Sequence, residues 1–399
     1  MKTIKFKNIK KALSLSSLMI GLAFMLCISY SCNESSIGQQ PLDKAAPPAP
    51  TNAVVENLNG GAVIKYDIPV SDDLLYVKAT YKIKNTTRES KSTYYTNSIE
   101  VSGFGDTKEY EVELRSVDRS RNESEPLIVT INPLTPPVDL ISDSFNLLAS
   151  FGGVQLTWEN NTRADIIISF MASDSTGVLV DVEDVYSSVP EGKHTLRGFD
   201  TTEREFAVYA RDRWDNYSDT VSIITTPYFE EEVDKSTFKE AWLPGDAAST
   251  GHRVAYIWDN IIDVGSGFWH TNAEDLPIRC TFDMGVTAQL SRYKLWQRPG
   301  FYYTHNNPKK WELWGSINPN PDGSLDESWT LLDSYESFKP SGDGPLTNED
   351  KEYAEKGEEF EVPIDAPAVR YIRFVMYENW SGGNIAQIAE MSFWGDTKK

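Results

Sequence analysis

The chain has 399 residues and a formal net charge of −21, with 38 Lys and Arg against 59 Asp and Glu. Nucleic acids and anionic lipid surfaces are bound through clustered positive charge, so this balance excludes both as the main partner. Aromatic residues make up 12% of the chain, and most of its 11 tryptophans follow residue 240. The C-terminal part therefore needs large flat side chains for packing, for ligand contact, or for both.

The first 31 residues have the pattern of a secretory signal. A lysine-rich start without acidic residues precedes an apolar run from Leu13 to Ile28, which ends at Ser29-Tyr30-Ser31-Cys32. Small residues before a cysteine predict a lipoprotein signal cleaved before Cys32, whose thiol then carries the lipid. An uncleaved anchor is the alternative, since the apolar run nearly reaches the roughly 20 residues that span a bilayer. Either way, we expect an exported chain tethered to the membrane at its N-terminus.

Cysteine usage limits how the exported domains are stabilised. Cys27 lies within the signal and Cys32 is the predicted lipid site, which leaves only Cys280. The mature chain therefore has no internal disulfide, and each domain depends on its own core. Cys280 lies in an alternating strand pattern, so we interpret it as a small buried hydrophobe.

Proline clusters divide the exported part of the chain. Residues 32–46 are predicted to form a solvated tether, and a proline cluster follows at Pro47. A second cluster, Pro133 to Pro137, separates two segments that resemble each other, about 90 residues apart. Both copies contain a Gly-Gly pair before an alternating strand. Both also contain an Asp-Arg-x-x-Asn-x-Ser motif, at Asp118 and at Asp212. We interpret this motif as a turn in which Asp and Asn side chains cap the backbone.

The two copies have the period-two alternation of half-buried antiparallel strands, as in Tyr110 to Val117, and lack a long amphipathic helix. With their proline-rich entry and the late Tyr209-Ala210-Arg211-Asp212 strand they resemble fibronectin type III domains. That resemblance predicts two β-sandwiches, over residues 47–135 and 136–227, and indicates little about function.

Residues 228–399 carry a different set of motifs. They occur in this order: Ile257-Trp258-Asp259-Asn260, Asp283-Met284-Gly285, Trp311 to Ser316, Arg370-Tyr371-Ile372-Arg373, and Ala389 to Gly395. Together they resemble the discoidin (coagulation factor 5/8 type C) domain and its carbohydrate-binding relatives, although the early Asp is followed by Asn260 instead of Gly. The predicted fold is therefore all-β: two tandem fibronectin III/Ig-like sandwiches followed by a discoidin-like jelly-roll sandwich.

One segment of this domain combines aromatic rings with hydrogen-bond donors, as sugar recognition requires. It runs from Trp296 to Asn307 and is expected to be a ligand-facing loop. We predict stacking by Tyr302 or Tyr303 and donation by Arg298 and His305. The alternative is that the rings pack on the rim of the sandwich.

Two further segments are candidates for ligand contact. Trp380 and Asn384 flank a Ser-Gly-Gly run between the last strands, where an aromatic side chain is hard to place in a core. Trp269-His270 is the third candidate.

The resemblance also implies a structural Ca²⁺, held by Asp259 or Asp263 and by Glu390. Zinc is not expected, because the four histidines lack ligand spacing.

The whole layout resembles surface lipoproteins of Bacteroidota polysaccharide-utilisation systems. This resemblance implies a noncatalytic glycan-binding protein, lipid-anchored in the outer membrane, surface-exposed, and partnered with a glycan-uptake complex. An adhesin that binds a host or cell-surface protein is the alternative. No enzyme is expected, since the sequence contains no Gly-x-Ser-x-Gly, phosphate-loop or His-Glu-x-x-His motif.

Overall fold

A computed structural model describes residues 44–399 of the chain. The predicted signal peptide, the predicted lipidation site Cys32 and residues 32–43 of the predicted tether lie outside the described residues. The chain divides into two compact units, one ending at Pro136 and the other beginning at Pro137. Within residues 44–399, no helix is long and apolar enough to cross a membrane.

The first unit is a seven-stranded β-sandwich. Its strands are β1 (Thr51–Leu58), β2 (Gly61–Asp67), β3 (Leu74–Ile83), β4 (Thr86–Thr93), β5 (Ser98–Ser102), β6 (Tyr110–Asp118) and β7 (Leu127–Ile131). One sheet has the order β1-β2-β5 and the other β4-β3-β6-β7. Alternate residues of β6, such as Val112 and Leu114, are fully buried, as the sequence alternation predicts.

The second unit begins with another sandwich of the same strand order. A short helix, α1 (Pro137–Ser142), precedes its seven strands: β8 (Asn146–Ser150), β9 (Gly153–Glu159), β10 (Ile166–Ser173), β11 (Leu179–Ser187), β12 (Glu191–Leu196), β13 (Arg204–Arg211) and β14 (Val221–Thr225). The sheets have the orders β12-β9-β8 and β11-β10-β13-β14. The sequence repeat is thus a repeat of one fold.

The repeated Asp-Arg-x-x-Asn-x-Ser motif forms the same turn in both sandwiches. The Asp118 carboxylate accepts hydrogen bonds from the backbone N–H and the side-chain amide of Asn122, both at 2.8 Å. Asp212 accepts from the same two groups of Asn216, at 3.0 and 2.9 Å. The interpretation of the motif as a backbone-capping turn is therefore confirmed.

The rest of the second unit is a larger sandwich. Its strands are β15 (Glu231–Glu232), β16 (Lys239–Glu240), β17 (Ser249–His252), β18 (Trp269–Thr271), β19 (Ile278–Trp296), β20 (Pro308–Ser316), β21 (Thr330–Glu336), β22 (Glu358–Glu361), β23 (Val369–Asn379), β24 (Gln387–Ile388) and β25 (Glu390–Asp396). A helix, α2 (Asn348–Glu355), and two 3₁₀ turns, Lys235–Thr237 and Val254–Trp258, lie between them. The three sandwiches confirm the all-β fold class.

Strand β19 takes part in both sheets of this third sandwich. Its first half pairs with β23, and its second half pairs with β25, with register shifts between Asp283 and Ala288. Gly285 has φ +77° at this bend, where a Cβ would lie 2.5 Å from the Thr237 carbonyl oxygen, so glycine is required there. Bending lets one strand serve two sheets around a core that includes Trp311 and Phe374.

A small sheet of order β17-β18-β24 packs on the core of the sandwich through Trp269 and Ile388. In β18, Trp269 is fully buried whereas His270 is half-buried, as the alternation of a strand requires. The loop of residues 297–307, which connects β19 to β20, lies beside this sheet, because Gln387 of β24 donates its backbone N–H to the Asn306 carbonyl at 2.9 Å.

Candidate functional site

The 297–307 loop is braced from inside by Asn307. The Asn307 side chain is fully buried, accepts from the Arg298 N–H at 2.9 Å, and donates to the Phe301 and Thr304 carbonyls at 2.7 and 3.2 Å. Tyr303 and His305 both have left-handed backbone conformations, at φ 52° and 49°. The loop therefore turns sharply twice and directs its side chains to two opposite sides.

Arg298 is the centre of the first side. Its guanidinium lies 4.0 Å from the ring centroid of Phe268 and 4.5 Å from that of Phe301. Its Nε and Nη2 donate to the Val264 carbonyl at 3.1 and 2.9 Å. Two rings and one carbonyl fix the plane of the guanidinium, and its remaining N–H groups are left for a ligand.

The imidazole of His270 lies next to this arginine. Its Nδ1 is 3.3 Å from the Thr250 hydroxyl and its Nε2 is 3.5 Å from the Asn306 amide nitrogen. Desolvation lowers the pKa of His270, and the positive charge of Arg298 adds to the effect, although a hydrogen bond with the Thr271 backbone opposes it. His270 is therefore neutral at pH 7, with one ring nitrogen that donates and one that accepts.

His252 and His305 complete this side. The ring of His252 stacks on Phe268, with centroids 4.2 Å apart and an interplanar angle of 20°. His305 is exposed and meets the Phe301 ring edge-on at 4.5 Å. We call this group the Arg298 surface; it consists of His252, Phe268, His270, Arg298, Phe301, His305 and Asn306.

The structure thus brings three of the predicted site residues together: Arg298, His305 and His270. Two aromatic rings that were not among the predicted site residues lie between them: Phe301 is half-buried and exposes ring surface, whereas Phe268 is 3% exposed and packs beneath Arg298. The sequence did contain a signal for both rings, because Phe268 lies next to the predicted site residue Trp269, and Phe301 lies next to Tyr302.

The second side of the loop holds the two tyrosines that were predicted to stack on a ligand. Tyr302 and Tyr303 are only 8% and 6% exposed, and they pack with Ala354 of α2 and with Trp380. The Trp380 ring meets Tyr303 edge-on at 5.2 Å, and its Nε1 donates to the Ser337 hydroxyl at 3.3 Å. In this conformation the tyrosines offer no ring face to a ligand, because the left-handed turn points them inward.

Trp380 and Asn384 lie beside the loop without joining the Arg298 surface. Trp380 is half-buried, with the Lys309 ammonium 5.3 Å from its ring centroid, and its backbone N–H donates to the Asn307 carbonyl at 3.0 Å. Asn384 is exposed, and its carbonyl accepts from the Glu274 N–H at 3.0 Å.

Trp269 occupies an interior position. It has no exposed surface, and its Nε1 donates to the Ser249 hydroxyl at 3.2 Å. A ring must expose a face to stack on a sugar, so Trp269 supports the site from below.

The acidic residues that the resemblance assigns to Ca²⁺ do not fit that ion. The Glu390 carboxylate accepts from the Lys235 ammonium at 2.5 Å and from the Asn260 N–H at 3.0 Å. Asp259 and Asp263 each accept backbone N–H groups of their own loop, at 2.6–2.9 Å. Ca²⁺ takes six to eight oxygen ligands, and an ammonium on the central carboxylate opposes it. Among residues 44–399, no group of three or more His, Cys, Asp and Glu could hold a metal ion.

Comparison with known proteins gives three family matches, each described as a domain of unknown function. DUF4959 matches residues 47–133, DUF5126 matches residues 134–236 and DUF5000 matches residues 258–395. No curated protein sequence matches the chain.

Several solved structures are similar. The C-terminal domain of a chitobiase from Bacteroides fragilis is 19% identical, covers 42% of this chain and 100% of its own, and has a TM-score of 0.31. CBM32-1 from a family 31 glycoside hydrolase of Clostridium perfringens is 17% identical, with coverages of 39% and 93% and a TM-score of 0.27. SusE-like protein BT2857 is 34% identical, covers 65% of this chain and 99% of its own, and has a TM-score of 0.44. Because this identity extends over nearly the whole of that protein, the chain belongs to the family of SusE-like proteins.

Proposed function

We propose that this chain is a noncatalytic glycan-binding lipoprotein of the cell surface, and that the Arg298 surface binds the glycan. In this proposal Cys32 carries the lipid, residues 32–46 form the tether, and the sandwiches at 47–135 and 136–227 are spacers. Residues 228–399 are the binding domain. The location is the outer membrane, and the partner is a glycan-uptake complex.

The observation that carries the proposal is the guanidinium of Arg298, which packs on the buried ring of Phe268 and lies beside the half-buried ring of Phe301. A pyranose presents an apolar C–H face and a rim of hydroxyls, so its site needs a flat apolar plate beside fixed donors and acceptors. Phe301 is half-buried and supplies ring surface, and Arg298 supplies planar donors. The neutral imidazole of His270 and the amide of Asn306 add both donors and acceptors.

In this proposal the Arg298 surface binds the glycan without cleaving it. Its guanidinium, imidazole and amide groups, beside an aromatic ring, suit reversible binding of hydroxyl groups. Hydrolysis of a glycosidic bond would instead use two carboxyl groups about 5–10 Å apart, one as acid and the other as nucleophile or base.

One observation favours the alternative, an adhesin that binds protein. The loop whose Val264 carbonyl accepts from Arg298 has three exposed aliphatic side chains: Ile261 at 45%, Ile262 at 43% and Val264 at 54%. Exposed aliphatic side chains grouped in one short segment are compatible with a protein contact.

Affinity electrophoresis of residues 33–399 separates the two functions. We expect retardation in gels that contain one class among amylopectin, α-mannan, arabinogalactan, xylan and mucin, without release of reducing sugar. Retardation by none of these, together with binding to immobilised cell-surface proteins, would establish the adhesin. Release of reducing sugar would overturn the noncatalytic assignment.

A further inference from the structure

Trp242 is unusual among the tryptophans of this protein because it is 66% exposed. Every other tryptophan among residues 44–399 is buried or half-buried. Trp242 borders a cavity of about 230 Å³, whose lining also includes Glu240, Ser249, Arg253 and Trp269. An exposed indole beside a cavity is a large apolar surface without a partner in the fold.

The turn that follows Trp242 is rigidly held. The Asp246 carboxylate accepts from the Leu243 N–H at 2.9 Å and from Arg373 Nη2 at 3.0 Å, and Arg373 Nη2 also donates to the Pro244 carbonyl at 3.2 Å. The Arg373 and Asp246 side chains are 0% and 2% exposed. A buried, hydrogen-bonded ion pair is costly to disrupt, so it fixes the turn beside the indole before any ligand arrives.

The rim of this cavity is polar. Arg253 Nε donates to Glu240 Oε1 at 3.1 Å, and both side chains keep exposed surface, 64% and 36%. The pair offers guanidinium donors and a carboxylate acceptor beside the indole. This combination of a flat ring with paired donors and acceptors suits hydroxyl groups on a ring with an apolar face.

The size of the cavity limits the ligand. A water molecule takes about 30 Å³ in the liquid, and pockets for drug-sized molecules begin at roughly 300 Å³. A cavity of about 230 Å³ lies between these values, so it suits one monosaccharide ring.

We propose that the Trp242 cavity is a second sugar-binding subsite, which holds one pyranose ring on the indole with its hydroxyls on Arg253 and Glu240. The inference rests on the proposed function, since it takes the ligand to be a glycan. Both sites adjoin strand β17: Ser249 lines the cavity, and the Thr250 hydroxyl contacts His270 of the Arg298 surface. A ligand that engages both sites is longer than one sugar, so the ligand class is an extended polysaccharide chain.

The first test compares Trp242→Ala with the wild type and with Trp214→Ala, a half-buried tryptophan of the second sandwich. Residues 33–399 are run in gels that contain increasing amounts of one glycan. This glycan is the one that retards the wild type among amylopectin, α-mannan, arabinogalactan, xylan and mucin. Loss of the stacking surface is expected to raise the apparent dissociation constant roughly three- to tenfold, and Trp214→Ala is expected to behave as the wild type. An unchanged constant for Trp242→Ala would overturn the second subsite.

The second test probes the Trp242 cavity in proteins whose cavity residues are unchanged. N-bromosuccinimide oxidises accessible tryptophans, and peptide mass spectrometry locates the product. The retarding polysaccharide is expected to protect Trp242 at least threefold, in the wild type and, at a saturating concentration, in Arg298→Ala. Retardation without protection would reject this subsite and leave the proposed function intact. Absence of retardation by all five polysaccharides would reject both.

Discussion

The Lys235 ammonium lies 2.5 Å from Oε1 of Glu390, and the two side chains are 8% and 2% exposed. Lys235 Nζ also donates to the Asn260 side-chain oxygen at 3.0 Å, and the Asn260 N–H donates to the second Glu390 oxygen at 3.0 Å. The ion pair thereby fixes the loop that begins at Asn260. The Lys235 ammonium therefore pairs with the carboxylate that the sequence resemblance assigned to Ca²⁺.

Removing Lys235 is expected to leave the Glu390 carboxyl buried without its cation. Lys235→Met should lower the free energy of unfolding by about 3 kcal/mol at pH 8, as measured by urea denaturation. The double variant Lys235→Met with Glu390→Gln should recover most of this loss, because the buried charge is then absent. Addition of Ca²⁺ or EDTA should leave the wild-type midpoint unchanged. A Ca²⁺-dependent rise in that midpoint would contradict the role given to Lys235.

Glu390 also makes stability depend on pH. Burial raises the pKa of its carboxyl from 4.5 to about 7, although the Lys235 ammonium opposes the rise. The folded state therefore holds this proton more tightly than the unfolded chain. The resulting stabilisation is fully present below about pH 4.5 and is lost as the pH rises to about 7, by at most ~3 kcal/mol. Urea unfolding across this range should show the decline relative to Glu390→Gln, and parallel curves would refute it.

Tyr303 gives a test of its packing role. Its hydroxyl is buried without a hydrogen-bond partner, and its ring lies perpendicular to that of Trp380, with centroids 5.2 Å apart. Tyr303→Phe should therefore raise the free energy of unfolding by about 1 kcal/mol and leave glycan binding unchanged, whereas Tyr303→Ala should lower it by ~3 kcal/mol. A loss of binding in a stable Tyr303→Phe variant would show that the hydroxyl contacts the ligand.

Arg197 joins the second sandwich to the third within the second unit. It pairs with Glu230 at 2.9 Å and with Glu361 at 3.0 Å, and its side chain is 14% exposed. Arg197→Met should cost about 2 kcal/mol and broaden or split the thermal unfolding transition of this unit. Arg204→Met is the matched control, because Arg204 pairs with Asp200, whose side chain is 71% exposed. Its cost should stay below about 1 kcal/mol. Equal effects of the two variants would contradict a coupling role for Arg197.

The protonation state of His270 is expected to determine how glycan binding depends on pH. Desolvation lowers its pKa below 6.5, so the ring is neutral at pH 7 and becomes charged only in more acidic solution. If the neutral ring accepts a sugar hydroxyl, affinity should be constant above pH 6.5 and should fall as the pH drops through the lowered pKa. Calorimetric titrations of the wild type and of His270→Gln across this range provide the measurement. An identical acid-side decline in both proteins would assign the effect to another group.

The fold followed from the sequence because its signals are local and repeated. Strand alternation in Tyr110 to Asp118 and the Asp118-Asn122 turn depend on nearby residues, and the second copy repeats them. The candidate site was harder to predict than the fold. The sequence of a strand or loop shows which residue types are present, but it does not show which way each side chain points. Trp269 and His270 are adjacent, yet only His270 reaches the surface.

The 297–307 loop shows the same limit. Two left-handed residues and the buried Asn307 side chain turn Tyr302 and Tyr303 inward and leave Phe301 and His305 outward. The Lys235–Glu390 pair could not be predicted either, since its members are 155 positions apart in the sequence.

The most direct test of the central claim is isothermal titration calorimetry of Arg298→Ala with the polysaccharide that retards the wild type. The matched control is Arg213→Ala, since Arg213 also lies over an aromatic ring, 4.3 Å from the Trp214 centroid, in the second sandwich. We predict at least a tenfold weaker affinity for Arg298→Ala with an unchanged unfolding midpoint, and wild-type affinity for Arg213→Ala. Wild-type affinity in a folded Arg298→Ala protein would contradict the assignment of the Arg298 surface as the glycan site.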